Sequence, residues 1–149
     1  MYQEYVVFSA GFIVIHTIAY MLAGMITYTI VHKGHPIYRY YLRREEEEKE
    51  LSKAMKLLLP TQLLRGLLLS LVFFPILNYM KDMSLLMNSV FLFGVLFIVG
   101  GLASQIPFPG NLEGFVYIRD QFQKGRMKFH IEDLIYCPIV AVAVSLLLI

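Results

Sequence analysis

Four long apolar stretches, separated by polar segments, dominate the pattern along the chain. They cover residues 6–31, 57–79, 85–103 and 131–149. Each meets or nearly meets the length of about 20 residues that an α-helix needs to cross the hydrocarbon of a bilayer. None shows the polar face of a soluble helix, and runs such as 146–148 lack the alternation of barrel strands. The pattern predicts an all-α integral membrane protein, with residues 1–149 forming a single four-transmembrane-helix bundle.

The two long polar segments, residues 32–56 and 104–130, carry structure of their own. Residues 40–56 are rich in helix formers and contain no Gly or Pro, which predicts a helical extension that enters or abuts the second apolar helix. In the other segment, Pro107, Pro109 and Gly110 end the third helix. Asn111 is then placed to cap a short helix through Gln123, which we expect to lie flat at the membrane interface.

Basic residues indicate how the bundle is oriented. They cluster in the two long segments: Lys33, Arg39, Arg43, Arg44, Lys49, Lys53 and Lys56, then Arg119, Lys124, Arg126 and Lys128. The turn between the second and third stretches has only Lys81. Because Lys and Arg are retained on the cytoplasmic side, both long loops are predicted to be cytoplasmic and both termini outside, in the cell membrane. The opening segment lacks the basic start of a signal peptide, so we expect it to be retained as the first helix.

Composition supports this class and restricts the chemistry. Hydrophobic residues make up 58% of the chain and charged residues only 16%, which is typical of a membrane protein. The net charge of +2 is segregated by topology and does not indicate nucleic-acid binding. The lone cysteine, Cys137, excludes an internal disulfide and a multi-Cys zinc site. His32 and His35 without a nearby carboxylate are a weak metal signal, so neither a metal nor another cofactor is expected.

Arg65 is the most informative polar residue, because it lies inside the second apolar stretch. It would sit about 7–12 Å deep, depending on where the helix enters the membrane. Three interpretations are open. The side chain snorkels to the interface, it pairs with a carboxylate within the bundle, or it binds a substrate or lipid phosphate. The candidate carboxylates are Glu132 and Asp133, at the start of the fourth stretch, and Glu113 in the second loop.

His16 lies near the middle of the first apolar stretch. It could relay protons, ligate haem or form a neutral hydrogen bond to a neighbouring helix. Haem ligation lacks support, because the other three histidines lie at or beyond the predicted cytoplasmic boundary. The run Glu45–Glu48 is interpreted as a solvated helix face, with a basic partner or a cation as the alternative.

Small residues recur at a spacing of four in every apolar stretch. The pairs are Ala19 and Ala23, Gly66 and Ser70, Gly100 and Ser104, and Ala141 and Ser145. They predict close helix packing within the bundle or association with another membrane protein.

Three functions remain open from the sequence. The small size and large cytoplasmic surface favour a non-catalytic scaffold or an accessory subunit, with the lipid bilayer and a membrane-protein partner or second copy as its contacts. A small transporter or channel would need polar groups at several depths. A membrane-interface enzyme on lipid-linked substrates would use Arg65 for phosphate and Glu113 as general base, but no nucleophile is evident.

Overall fold

The structure is a computed structural model that describes residues 2–27, 29, 48–103, 110–117 and 129–149. Within these residues it is helical and contains no strand. Four segments are long and apolar enough to cross a membrane: Gln3–Thr27, Lys56–Lys81, Leu85–Leu102 and His130–Leu147. These bounds agree closely with the four predicted stretches, so the all-helical architecture with four candidate spans is confirmed.

The segments contain both regular and distorted helix. The regular helices are α1 (Tyr2–Thr27), α2 (Glu48–Phe73), α3 (Leu77–Lys81), α4 (Leu85–Gly94), α5 (Leu112–Tyr117) and α6 (Phe129–Leu147). A 3-10 turn at Phe74–Ile76, which contains Pro75, joins α2 to α3. A π-helix over Val95–Leu102 continues α4. Pro75 therefore tightens its helix locally, as expected for a residue without a backbone N–H.

The polar segments are described only in part. From Glu48 onward the predicted extension over residues 40–56 is helical and forms the first part of α2. Its earlier residues, and most of the run Glu45–Glu48, lie outside the described residues. The predicted short loop helix is present as α5, and Asn111 Oδ1 accepts a hydrogen bond of 2.7 Å from the Gly114 N–H, as a cap should. Its predicted continuation over residues 118–123 also lies outside them.

A polar turn makes α4 run antiparallel to α3. Ser84 caps α4 by accepting a hydrogen bond of 3.3 Å from the Met87 N–H. The side-chain amide of Asn88, which is 2% exposed, donates 2.7 Å to the Met80 carbonyl. Asn88 thereby gives a carbonyl at the end of α3 a hydrogen-bond donor and ties α4, in which it lies, to α3.

The helices pack in the order α2, α1, α6, α4 across the bundle. Along α1, the Tyr5 and Phe74 rings meet first, and the Ser70 hydroxyl then donates 3.1 Å to Ser9. On its other side α1 meets α6, from Gly11 near Leu148 to Thr27 near Glu132. Both neighbours therefore run antiparallel to α1, which lies between them.

The bundle has two chemically distinct ends. The turn end holds Gln3, the Lys81–Leu85 turn and Leu147. The loop end holds Thr27, Lys56, Leu102 and His130. The core between them is mainly apolar and is formed by the following buried residues: Phe8, Phe12, Ala19, Ala23, Phe73, Leu77, Met80, Leu92, Leu96, Tyr136, Cys137, Val140, Ala141 and Val144.

The small residues lie mostly inside the bundle. Ala19, Ala23, Ser70 and Ala141 are each at most 1% exposed. At Gly66 an added Cβ would lie 3.1 Å from the Ile13 Cα and from the His16 ring. The spacing of four thus brings neighbouring helices of this chain together, which is one of its two predicted uses.

We expect Gly66→Ala to destabilise the protein. Overpacking against the Ile13 backbone costs about 1–3 kcal/mol, which outweighs a helix-propensity gain of about 1 kcal/mol. The measurement is the thermal unfolding midpoint in detergent. Gly94→Ala is the matched control, because an added Cβ there meets nothing within 4 Å, and its midpoint should stay or rise. Equal rises in both variants would show that α1 and α2 do not approach closely at Gly66.

Candidate functional site

His16 is the centre of a buried hydrogen-bonded network that joins three helices. Its Nδ1 atom lies 2.5 Å from the Tyr136 hydroxyl of α6. Its Nε2 atom lies 3.2 Å from Oε1 of Gln62 on α2. His16 is 0% exposed, Tyr136 4% and Gln62 5%. We call these three residues the His16 network; it connects α1 with both of the helices that flank it.

The position of each proton in this network follows from the donors present. Among the described residues, the Tyr136 hydroxyl has no hydrogen-bond acceptor other than His16. A buried hydroxyl proton without an acceptor is costly, so Tyr136 donates to Nδ1. Nε2 then carries the imidazole proton and donates to the carbonyl oxygen of Gln62. The result is a neutral histidine whose two nitrogens are both engaged.

This geometry bears on two of the three interpretations of His16, the neutral hydrogen bond and haem ligation. A neutral histidine hydrogen-bonded to neighbouring helices is what the structure contains. Haem ligation would require Nε2 or Nδ1 to leave Gln62 or Tyr136. Aromatic rings also enclose the imidazole: Phe12 stacks at 6.5 Å and Tyr20 at 6.3 Å between centroids, and Tyr136 meets it edge-on at 5.5 Å.

Arg65 lies one turn of α2 beyond Gln62 and is exposed. Its guanidinium carbon sits 5.8 Å from the centroid of the Tyr20 ring, within the range of a cation–π contact. In the part of the chain that the structure describes, no carboxylate lies within ion-pair distance of Arg65.

The predicted ion pair between Arg65 and Glu132 or Asp133 is therefore not formed. The physical reason is the packing order, because α1 and its Tyr20 ring lie between α2 and α6. The side chain of the third candidate, Glu113, lies outside the described residues.

Glu132 and Asp133 begin α6 at the loop end, and both are half-buried. The Thr27 hydroxyl lies 3.4 Å from Glu132 Oε2, although its shorter bond, 2.7 Å, goes to the Ala23 carbonyl. Asp133 Oδ2 lies 3.9 Å from His130 Nδ1. A Cβ added to Gly101 would come within 3.0 Å of the same oxygen. The π-helix thus presents a glycine where the Asp133 carboxylate needs room.

Tyr20, Arg65, Glu132 and Asp133 form a second group, which we call the Arg65 cluster. Each of its members has accessible surface, whereas the His16 network is buried behind it. The two carboxylates lie within electrostatic reach of Arg65 although they do not pair with it. A polar ligand that enters from the loop end would meet the Arg65 cluster first.

Sequence reasoning identified His16, Arg65, Glu132 and Asp133 but missed three of their neighbours. Gln62 lies three residues before Arg65, Tyr136 four after Glu132, and Tyr20 four after His16. Such spacings put each pair on one helix face. This spacing could have identified them, because a polar or aromatic side chain one helical turn away lies close enough to contact the candidate residue or its partner.

The remaining candidate residues and the main groove offer few polar groups for binding or catalysis. Cys137 is buried at 1% exposure and packs in the core. Across the described ranges there is no group of three or more His, Cys, Asp or Glu side chains that could hold a metal ion. His32 and His35 lie outside those ranges. A lateral groove of about 780 Å³ between α1 and α2 is lined almost entirely by apolar side chains, including Ile13, Leu67 and Phe74.

Comparisons with known proteins found no match to a family model, to a curated protein or to a solved structure. The function must therefore be inferred from the geometry of the His16 network and the Arg65 cluster.

We expect Tyr136→Phe to lower stability by about 1–3 kcal/mol, because it leaves the buried Nδ1 of His16 without a donor. The measurement is again thermal unfolding in detergent. The matched control is Tyr79→Phe, which removes a hydroxyl from a side chain that is 70% exposed at the turn end; its effect should stay within about 0.5 kcal/mol. If the two variants unfold at the same temperature, the hydrogen bond to His16 contributes nothing to stability.

Proposed function

We propose that this chain is a multi-pass membrane protein that binds the anionic headgroup of a phospholipid, with Arg65 as the residue that contacts the phosphate. The observation that carries the proposal is the state of Arg65. It lies inside an apolar span, it is exposed, and within the described residues it contacts an aromatic ring and no carboxylate.

The energetics of a charge in lipid support this assignment. An arginine at the bilayer centre costs at least about 2.5 kcal/mol, and ionisable residues at such depths are commonly functional. A guanidinium matches the oxygens of a phosphate with two parallel hydrogen bonds. Arg65 lies nine residues from Lys56, or about 13 Å along the helix axis. Helical side chains lean toward the helix N-terminus, so Arg65 leans toward the loop end.

The proposal includes an orientation. The basic residues of the two long loops favour a cytoplasmic loop end, with both termini and the Lys81 turn outside. Arg65 would then lie in the cytoplasmic leaflet, which is the leaflet that carries anionic lipids. Tyr20 supplies an aromatic surface beside the guanidinium and holds it near the headgroup layer.

Lipid binding is supported better than the other open functions. A transporter needs a polar path at both ends, whereas the turn half of the described bundle is filled by Phe8, Phe12, Phe73 and Leu77. The interface enzyme shares Arg65 with the present proposal, but its general base would be Glu113, whose side chain lies outside the described residues. Most of the small-residue pairs that favour an accessory subunit are buried between helices of this chain. We propose lipid binding as the activity that such a subunit would contribute.

We expect Arg65→Gln to weaken binding of phosphatidylglycerol by about tenfold or more, because a charge-assisted hydrogen bond is lost. The measurement is native mass spectrometry of the purified protein titrated with phosphatidylglycerol, and with diacylglycerol as a probe that has the chains without the phosphate. Arg65→Lys keeps the charge but loses the bidentate geometry, so it should retain part of the affinity.

The matched control is Lys81→Gln. It removes one positive charge at the turn end, where Lys81 lies 3.4 Å from Glu4. Its phosphatidylglycerol affinity should equal that of the original chain. Equal affinities of Arg65→Gln and Lys81→Gln would refute the proposal. The same spectra, recorded after gentle extraction, would show a stoichiometric protein partner if the chain is also a subunit of a larger complex.

The proposed orientation is tested by cysteine accessibility. Cys137→Ala gives a background without thiols, since Cys137 is the only cysteine in the sequence. In that background we expect Lys81→Cys to react with a membrane-impermeant maleimide on intact cells. Lys56→Cys, at the loop end, should react only after the cells are opened. The reverse pattern would place the loop end outside and Arg65 in the outer leaflet.

A further inference from the structure

We infer that Gln62 is a second, specificity-determining contact for the phosphate, and that its side-chain amide donates to an oxygen of the headgroup bound at Arg65. This inference rests on the proposed lipid-binding function and adds to it a residue and a chemical requirement. The hydrogen bonds of the His16 network are the observations that support it.

Two hydrogen bonds in series, from Tyr136 to His16 and from His16 to Gln62, determine the orientation of the Gln62 amide. The Tyr136 hydroxyl donates to Nδ1 of His16, and the proton of His16 therefore resides on Nε2. Nε2 donates to Oε1 of Gln62 at 3.2 Å. The oxygen and nitrogen of a planar carboxamide diverge from the same carbon, so when Oε1 accepts from His16 the –NH₂ of Gln62 is not aimed at the imidazole nitrogen.

The –NH₂ group of Gln62 has two N–H donors. No hydrogen bond from it to another residue is present in the described part of the chain, although Gln62 is only 5% exposed. The Gln62 nitrogen is not one of the fully enclosed polar atoms that lack a partner, so its donors reach the surface of the bundle. An acceptor that approached through the small exposed surface of Gln62 would receive a hydrogen bond from them.

The position of Gln62 selects the kind of acceptor. Gln62 and Arg65 are three residues apart on α2, so their side chains project from one face of the helix. Arg65 contributes a charge and Gln62 a neutral, directional donor. A phosphate has several unesterified oxygens at tetrahedral angles and can accept from both at once. The ligand class is therefore a phosphodiester or phosphomonoester headgroup, as in phosphatidylglycerol or phosphatidic acid.

The test observes the Gln62 amide directly. Protein labelled with ¹⁵N in its glutamine side chains is titrated in detergent with dihexanoylphosphatidylglycerol, and with dihexanoylglycerol as the probe without phosphate. The Gln62 –NH₂ resonances, identified by their loss in Gln62→Glu, should shift with the first probe only. The –NH₂ resonances of Gln3, which is exposed at the turn end, should not move with either.

Gln62→Glu provides the affinity measurement. A glutamate keeps an oxygen for His16, but it removes the amide donor and adds a charge that repels phosphate. We expect phosphatidylglycerol binding to fall by about tenfold. The matched control Gln3→Glu makes the same chemical change at the turn end and should bind like the original chain.

The possible results separate this inference from the proposed function. Phosphatidylglycerol binding that depends on Arg65, without a shift of the Gln62 –NH₂ resonances, would overturn the role of Gln62 and leave the proposed function standing. Binding that is insensitive to Arg65→Gln would overturn both. The titration uses the original chain, and Gln62→Asn identifies the same resonances where Gln62→Glu folds poorly, because only glutamine side chains carry the label.

Discussion

The hydrogen bond between Tyr136 and His16 is the constraint on which the rest of the bundle depends. It spans 120 residues of sequence and joins the fourth apolar segment to the first. Because it occupies Nδ1, it sets the tautomer of His16 and directs Nε2 toward Gln62. The hydrogen bonds of His16 to Tyr136 and Gln62 thereby link α1 to α6 and to α2 at one level of the bundle. They also set which face of the Gln62 amide is available to other groups.

Around this level the bundle divides into two halves of different chemistry. Toward the turn end, packing is carried by aromatic and aliphatic residues such as Phe12 and Phe73, with the short Ser9–Ser70 contact as a polar point. Toward the loop end, the polar side chains of Arg65, Glu132 and Asp133 gather. Such a division concentrates the charged side chains of this group at one end of the bundle, where they keep accessible surface.

The sequence predicted the four apolar helices closely, because an apolar run of fixed length has few alternatives in lipid. It also identified Arg65 and His16, since a polar group is conspicuous in such a run. It did not predict which side chains they meet. Those contacts depend on the order in which the helices pack, and one-dimensional periodicity does not encode that order. For this reason the sequence left a pair of Arg65 with Glu132 or Asp133 open, which the described residues do not form. The π-helix at Val95–Leu102 was also missed, because it leaves the apolar pattern unchanged.

The central place of α1 has a consequence for how the chain assembles during synthesis. His16 is made before both of the residues that satisfy its imidazole, which follow 46 and 120 residues later. Until α6 emerges, His16 has at most one of its partners. The middle of the bundle therefore closes last, and a truncated chain without α6 would expose a polar group for quality control to recognise.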